Sequence, residues 1–169
     1  MLKYYFINKF DTNLLKKQEK DTILIYRNYI NFNLNDVIKL KTYSKKRNFK
    51  FLLSNHIKLA LKLKLNGAYL PSFNHDTKHL SYSKPKKFII VGSAHNHKEI
   101  KIKEKQQAQT IFLSSIFKKN KNYLGLNKFK LISKNSKKNI IALGGINKEN
   151  FKSLKLTSCL GFAGISYFE

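Results

Sequence analysis

Polar residues suited to catalysis and ligand binding directly follow short apolar runs in this sequence. Ser93 and His95 follow the run at residues 88–91, and Gly144-Gly145 follows the run at 140–143. Two glycines between a strand and a helix favour phosphate binding, because the backbone can approach a ligand and helix amides point at it. The pattern predicts phosphate binding beside strand ends that are rich in hydrogen-bonding groups.

Each of these groups also has a structural interpretation that the sequence leaves open. Gly144-Gly145 also suits a tight strand-to-helix turn, and His95 also suits a loop or a helix cap. Arg27 also suits pairing with a core carboxylate. The chain has only nine acidic residues and an unpaired buried charge is costly, so we favour a ligand anion as the partner of Arg27. The lysine-rich run at 118–121 also suits a solvated loop.

The 169-residue chain carries a formal charge of +25 that comes almost entirely from lysine. Arg27 and Arg47 are its two arginines, and the lysines are spread over every predicted helix and loop. No basic recognition helix or basic tail stands out, which argues against nucleic acid as the main partner. A positive field of this size still attracts anionic small molecules, so we expect a small phosphorylated metabolite as the partner.

Composition predicts a globular protein without a membrane span. Hydrophobic residues make up 42% and aromatic residues 13%, which allows a packed core, and no apolar stretch approaches the roughly 20 residues that cross a bilayer. The first residues show neither the apolar run nor the cleavage site of a signal peptide. The single Cys159 excludes an internal disulfide and a cysteine metal cluster. We therefore expect a cytoplasmic protein that makes no membrane contact.

Eight apolar runs alternate with helical or polar segments, which predicts an α/β fold, a parallel (β/α)8 barrel, in one domain of residues 1–169. The strands are predicted at residues 4–7, 23–27, 49–54, 68–70, 88–93, 110–115, 140–143 and 161–168. The barrel is trimmed, because this fold usually needs at least about 200 residues and no helix is predicted after strand eight. We expect the flank between strands eight and one to be exposed or covered by another copy in a homo-oligomer.

In such barrels the chemistry lies at the carboxyl ends of the strands. The residues there are rich in hydrogen-bonding groups and poor in carboxylates: Arg27, Ser54, Asn55, Ser72, Ser93, Ser115, Gly144, Gly145, Ile165 and Ser166. The loops after strands seven and eight often bind phosphate, so we predict a phosphate site at Gly144, Gly145, Ile165 and Ser166. Arg27 would clamp an anion from the opposite wall.

Six short motifs carry a resemblance that runs from about Tyr4 to the end of the sequence. They are Ile25-Tyr26-Arg27, Leu53-Ser54-Asn55, Ala68-Tyr69-Leu70-Pro71-Ser72, Val91-Gly92-Ser93-Ala94-His95, Ile141-Ala142-Leu143-Gly144-Gly145-Ile146 and Gly161-Phe162-Ala163-Gly164-Ile165-Ser166. In their order and spacing they resemble the thiamine phosphate synthase/TenI family. The resemblance implies a barrel that handles a phosphorylated thiazole in thiamine biosynthesis.

Synthases of that family join a pyrimidine diphosphate to thiazole phosphate and release pyrophosphate with magnesium. The resemblance puts their two magnesium carboxylates at Asn55, or its neighbour His56, and at Asn74. Magnesium prefers anionic oxygen ligands, so we expect no metal or other cofactor unless the chain is a synthase. Lys119 and Lys121 stand where the synthases grip pyrophosphate, and the resemblance implies substrate binding there.

TenI-like members of the family lack those carboxylates and act as thiazole tautomerases. Their base is the histidine of the fifth-strand motif, which is His95 here, and Ser93 and Ser115 would help to hold the substrate. We therefore expect a metal-independent, tautomerase-like enzyme. A divergent thiamine phosphate synthase and a non-catalytic phosphate-binding barrel are the two alternatives.

Overall fold

Eight parallel strands close into one barrel in the computed structural model, which describes residues 1–169. Each strand pairs with the next in chain order, and β8 pairs with β1 to complete the ring. This topology confirms the predicted α/β barrel. The strands are β1 Leu2–Ile7, β2 Thr22–Tyr26, β3 Phe51–Ser54, β4 Gly67–Leu70, β5 Ile89–Ala94, β6 Thr110–Ser114, β7 Asn139–Leu143 and β8 Gly161–Gly164.

Five α-helices lie between the strands, and the longest has 14 residues. That helix begins after Asn33, whose side chain accepts hydrogen bonds from the amides of Asn35 and Asp36, and ends at Asn48 in the left-handed conformation (φ 59°). The helices are α1 Thr12–Lys16, α2 Leu34–Arg47, α3 Ile57–Lys62, α4 His97–Lys105 and α5 Gly125–Lys134. None of them combines the length and apolar character needed to cross a membrane.

Two connections contain only a 3-10 helix, at Lys78–Ser81 and Phe151–Leu156. The second replaces most of the helix that the sequence predicts after strand seven. The side chain of Asn147 accepts hydrogen bonds from the amides of Glu149 (3.1 Å) and Asn150 (2.9 Å) and closes a local turn. Such a side-chain turn competes with the start of an α-helix, which explains the shorter element.

The eighth strand ends at Gly164, four residues earlier than predicted, because the chain turns back on itself there. The amide of Phe168 donates to the carbonyl of Ile165 at 2.8 Å and closes the turn. The rings of Tyr167 and Phe168, which we call the aromatic cover, then pack on the outer face of the barrel. The ring of Phe162 lies 4.5 Å from that of Tyr167 and 5.7 Å from that of Phe168.

The aromatic cover partly corrects our expectation for the flank between strands eight and one. Phe168 also lies 5.3 Å from Tyr5 on β1, and the backbone carbonyl of Phe168 accepts a hydrogen bond from Gln18. Tyr5 and Phe162 are consequently fully buried. The chain's own residues thus cover part of this seam, whereas Leu2 and Leu160 at its start stay 44% and 47% exposed, and a homo-oligomer stays a prediction.

Inward-facing aromatic side chains fill the barrel, so its axis is a packed core rather than a channel. The rings of Tyr4, Phe6, Tyr69 and Phe112 lie with neighbouring centroids 4.7–6.1 Å apart. Strand alternation explains the arrangement, because β1 turns Tyr4 and Phe6 into the barrel and Tyr5 towards the outer layer. Phe6 and Tyr69 lie next to the last residues of their strands and form the floor of the site described below.

Replacing Phe168 by alanine is expected to lower the free energy of unfolding by about 2 kcal/mol, because it removes buried ring contacts over the seam between β8 and β1. Phe73→Ala is the matched control, since Phe73 is 62% exposed and its loss should cost less than about 1 kcal/mol. Urea denaturation of the two variants measures the difference. Equal losses would show that the seam does not depend on the aromatic cover.

Candidate active site

The mouth of the barrel, where the strands have their carboxyl ends, contains an arginine stacked on an aromatic ring. Arg27 directly follows β2, and its amide donates to the carbonyl of Ile7 at 2.9 Å. Its guanidinium carbon lies 4.1 Å from the centroid of the Phe6 ring, and no carboxylate forms an ion pair with it. The ring attracts the cation but leaves the guanidinium edges available to an anion.

Two phenols and two serine hydroxyls lie beside Arg27. The hydroxyl of Tyr29 contacts Oγ of Ser54 at 2.9 Å. Tyr29 is 48% exposed as a residue, but its hydroxyl end faces inwards, and burial raises its pKa to about 12. Burial also raises the pKa of Tyr69, while the Ser93 hydroxyl and the Arg27 guanidinium lower it. Both phenols therefore stay protonated at neutral pH and can donate hydrogen bonds.

Arg27 lies near the predicted phosphate residues, not on the wall opposite them. Only β1 separates β2 from β8, and Arg27 and Ile165 line the same cavity of about 130 Å³. The backbone amides of Gly144, Gly145, Ile165 and Ser166 donate to no acceptor in the protein. The position of Arg27 is thus corrected, while phosphate binding by the other four residues stays a prediction.

The two glycines after β7 adopt positive φ angles, 105° at Gly144 and 75° at Gly145. Their immediate neighbour is the loop after β6, since a Cβ on Gly145 would lie 2.6 Å from the amide nitrogen of Lys118. The carbonyl of Gly144 accepts hydrogen bonds from the amides of Phe117 (2.9 Å) and Lys118 (3.2 Å). The close approach of this loop therefore requires glycine at both positions, and the approach of a ligand to them stays a prediction.

The loop after β6 presents its lysines at the rim of the mouth. Lys119 and Lys121 are exposed on it, and Lys118 lies against Gly145. Ser115 is buried, and its hydroxyl donates to the carbonyl of Lys118 at 2.9 Å. That hydroxyl is engaged within the loop, and a role of Ser115 in substrate binding stays a prediction.

His95 follows β5 and pairs with a carboxylate on α4. Its Nδ1 lies 2.8 Å from Oε2 of Glu99, which also accepts the backbone amide of His95 at 2.9 Å. The side chain of Asn96 accepts the amide of Glu99 at 3.0 Å, so the pair belongs to the cap of α4. Because the carboxylate accepts a hydrogen from Nδ1, it favours the tautomer whose Nε2 carries a free lone pair.

The positions after β3 and β4 hold two amides that bond to each other. Asn55 adopts a left-handed backbone conformation (φ 61°), and its Oδ1 accepts a hydrogen bond from Nδ2 of Asn74 at 2.6 Å. The side-chain oxygen of Asn74, Oδ1, accepts a hydrogen bond from Nε2 of Gln106 at 3.1 Å. Ser72 is half-buried in the same loop as Asn74 and stays a predicted substrate contact.

A lysine lies fully buried below the loop after β4. Nζ of Lys103, on α4, donates to the carbonyls of Pro71 (2.7 Å) and Asn74 (2.6 Å) and to Oε1 of Gln106 (2.9 Å). Burial lowers the pKa of Lys103 to about 8, although the carboxylate of Glu99 acts in the opposite direction. The amine is thus held by three neutral oxygens.

Comparison with known proteins adds the family. A family model described as thiamine monophosphate synthase matches residues 20–168. The chain belongs to the thiamine monophosphate synthase family. It is similar to the thiamine-phosphate synthase of Prochlorococcus marinus subsp. pastoris, with 33% identity over 127 residues. It is also similar to the thiamine-phosphate synthase of Methanococcus vannielii, with 32% identity over 124 residues.

These matches differ in how much of each protein they cover. They include 73% of this chain and 36% of the Prochlorococcus protein, and 69% of this chain and 58% of the Methanococcus protein. A solved thiamine phosphate pyrophosphorylase from Pyrococcus furiosus has the same fold, with a TM-score of 0.79 over 98% of this chain and 86% of that one. Its sequence identity is 22%, so this likeness concerns the fold alone.

The magnesium that the thiamine monophosphate synthase family implies does not fit the residues at its two expected positions. Asn55 and Asn74 are neutral, and both side-chain oxygens already accept amide hydrogens. His56 packs against Phe32 at 4.5 Å, and burial lowers its pKa. No group of three or more His, Cys, Asp or Glu side chains is arranged to hold a metal. Magnesium requires several hard oxygen ligands, which this arrangement lacks.

Four residues of the site cannot be assigned to it from the sequence alone: Lys103, Gln106, Tyr69 and Glu99. Two of them carry a signal that can be read from spacing. Lys103 follows the buried Ile100 by three residues, which puts a lysine on the inner face of α4. Glu99 follows His95 by four. Nothing in the sequence indicates the contacts of Gln106 or Tyr69, since both depend on strands and loops distant along the chain.

Replacing Lys103 by methionine is expected to change how stability depends on pH. The pKa of Lys103 is about 8 in the folded chain and 10.5 for an ordinary lysine. Unfolding therefore takes up a proton between these values, and stability rises with pH there. The penalty for burying the charge is complete below about pH 8 and is relieved towards pH 10.5.

The wild-type chain should accordingly gain free energy of unfolding relative to Lys103→Met as pH rises from about 8 to 10.5. Chemical denaturation of both proteins across this range measures the difference between their free energies of unfolding. The contributions of titrating groups that both proteins share cancel in this difference. A constant difference at all pH values would contradict the lowered pKa.

Proposed function

We propose that this chain is a thiamine-biosynthesis enzyme that joins a pyrimidine diphosphate to a thiazole phosphate, as a thiamine-phosphate synthase. The observation that carries the proposal is the match of residues 20–168 to the family, together with 33% identity to a protein of that name. The mouth supports it, because its cations suit two phosphorylated substrates. The thiazole phosphate is assigned to the amides of Gly144, Gly145, Ile165 and Ser166.

The reaction requires positive charge at the leaving group. The bond between the pyrimidine methylene carbon and the diphosphate oxygen breaks, and its electron pair leaves with the diphosphate. The thiazole nitrogen supplies the pair for the new carbon–nitrogen bond. Lys118, Lys119 and Lys121 on the rim, and Arg27 over Phe6, are the cations that meet the growing charge. The protonated phenols of Tyr29 and Tyr69 donate hydrogen bonds to the same anion.

The proposal includes no metal held by Asn55 and Asn74. Two amides that bond to each other offer no anionic oxygen to a divalent ion. The charge that such an ion would supply is instead assigned to the arginine and lysines of the mouth. The site would then need no cofactor.

The purified chain, given both substrates, is expected to release pyrophosphate in EDTA at a rate similar to that in magnesium. Arg27→Met should lower kcat/KM by roughly 10- to 100-fold, because a hydrogen bond from a charged group is worth about 1.5–3 kcal/mol. Arg47→Met is the matched control, since Arg47 is exposed at the end of α2. A coupled assay for pyrophosphate measures all three proteins.

Three results of this assay would contradict different parts of the proposal. No release with any divalent metal would reject the synthase. Release in magnesium that disappears in EDTA would reject the metal-free site. Equal rates for the two arginine variants would reject the assignment of Arg27.

The pair formed by His95 and Glu99 favours a second candidate, a thiazole tautomerase. Its reaction moves a proton at the ring of a thiazole carboxylate phosphate, and a histidine with one nitrogen held by a carboxylate is suited to that step. The amides at Asn55 and Asn74 agree with a reaction that uses no metal. In this candidate Nε2 of His95 is the base, and Ser93 lies on the same strand end.

His95→Ala is expected to abolish proton exchange at the thiazole if the second candidate holds, while phosphate binding survives. His97→Ala is the matched control, because His97 is exposed two residues further along the chain. Exchange in deuterated buffer, followed by proton NMR, measures both variants, and calorimetry measures binding. Full exchange in the His95 variant would reject the tautomerase. Turnover in either assay would exclude a barrel that only binds its ligand.

A further inference from the structure

A positive charge is buried at the one edge of the mouth where the family would place a metal ion. Lys103 is 0% exposed, and none of the ion pairs in the structure includes it. All three of its hydrogen-bond partners are neutral oxygens. Burying an ammonium without a carboxylate is unfavourable, so the contacts that Lys103 makes must matter more to this chain than the stability they cost.

Those contacts hold both ends of one tight turn. The amide of Asn74 donates to the carbonyl of Pro71 at 3.0 Å, which closes the turn of residues 71–74, and Lys103 donates to the carbonyls of both residues. Gln106 joins Lys103 to the same turn through Oδ1 of Asn74. The turn is therefore anchored to α4 from below.

The same turn shapes the mouth from above. Its second residue is Ser72, and its third, Phe73, packs edge-on against the ring of Tyr29 at 5.3 Å. Its fourth, Asn74, holds the side chain of Asn55 at 2.6 Å. A displacement of the turn would consequently move Ser72 and disturb the contacts with Tyr29 and Asn55 at the same time.

The fit between α4 and β5 leaves little freedom to the lysine. A Cβ on Gly92 would lie 2.7 Å from Cδ of Lys103, so glycine at this position makes the passage for the side chain. The aliphatic part of the Lys103 side chain thus runs from α4 across Gly92 of β5 to the turn of residues 71–74.

We propose that Lys103 is a positioning residue whose buried ammonium takes over the organising role of the absent carboxylate-bound metal, by fixing the turn of residues 71–74 and, through it, Tyr29 and Asn55. The proposal rests on the function proposed above. Lys103 itself does not touch the substrate, because its three hydrogens are already donated within the protein.

Lys103→Met tests this assignment, since methionine fills similar space without a charge. The variant is expected to lose at least tenfold in kcat/KM for the coupling reaction and to be at least as stable as the wild type at pH 7, because the cost of burying the charge is gone. A residue with only a structural role would lower stability and activity together. Lys105→Met, on the exposed face of the same helix, is the control and should change neither quantity.

Gly92→Ala is the second variant and covers the case in which Lys103→Met does not fold. It keeps the amine but pushes against its stem, so some loss of stability from overpacking is expected together with a loss in kcat/KM of about threefold or more. A kcat/KM within twofold of the wild type in every variant that folds would overturn the proposal, as would parallel losses of stability and activity in Lys103→Met.

Hydrogen exchange separates this proposal from the function on which it rests. Lys103→Met should lose protection at residues 71–76 while the rest of the barrel keeps its protection. If the wild type shows no coupling, the proposed function fails, and the exchange result still decides whether Lys103 holds the turn. Unchanged protection at residues 71–76 would overturn the positioning role even in an active enzyme.

Discussion

Closure of the barrel depends on how closely β8 can approach β1. The two strands meet with Leu2 paired to Gly161, and a Cβ on Gly161 would lie 2.8 Å from the carbonyl carbon of Leu2. No helix follows β8, and the aromatic cover instead packs on Tyr5 and Phe162, further along the same pair of strands. An open edge would expose unpaired backbone groups and the apolar residues behind them. The shape of the mouth follows from this closure.

Closure brings together groups that are distant in sequence. It sets Arg27 and Ile165 on the same small cavity, although the two residues are far apart in the sequence. The aromatic layer below them has a related effect, because Phe6 and Tyr69 support the guanidinium from inside the barrel. Charge at the mouth is thus positioned by apolar packing. Carboxylates contribute little there, since Glu99 is engaged with His95.

Much of the fold could be predicted, because its signals are local. Apolar runs of four to six residues with glycine or a polar residue behind them identify strands such as β5 and β7. The predictions differ from the structure where contacts between residues distant in sequence determine the local conformation. The end of β8 depends on rings that fold back over Phe162, and the role of Gly144 depends on a loop from another strand. For the site, spacing indicates which residues lie at the mouth, but it does not indicate that Asn55 and Asn74 bond to each other.

The contact between Gly144-Gly145 and the loop after β6 has a further consequence. Because two amides of that loop bond to the carbonyl of Gly144, and its Ser115 packs against the same residue, the loops after β6 and β7 form one rigid rim. The backbone that carries Lys118, Lys119 and Lys121 is therefore ordered before any ligand arrives. If this rim binds the proposed substrates, binding would restrict only side chains, each at a cost of roughly 0.5–1.5 kcal/mol, and would avoid the larger entropy loss of ordering a free loop. Under the proposed function, this ordered rim would add to the affinity for an anionic substrate.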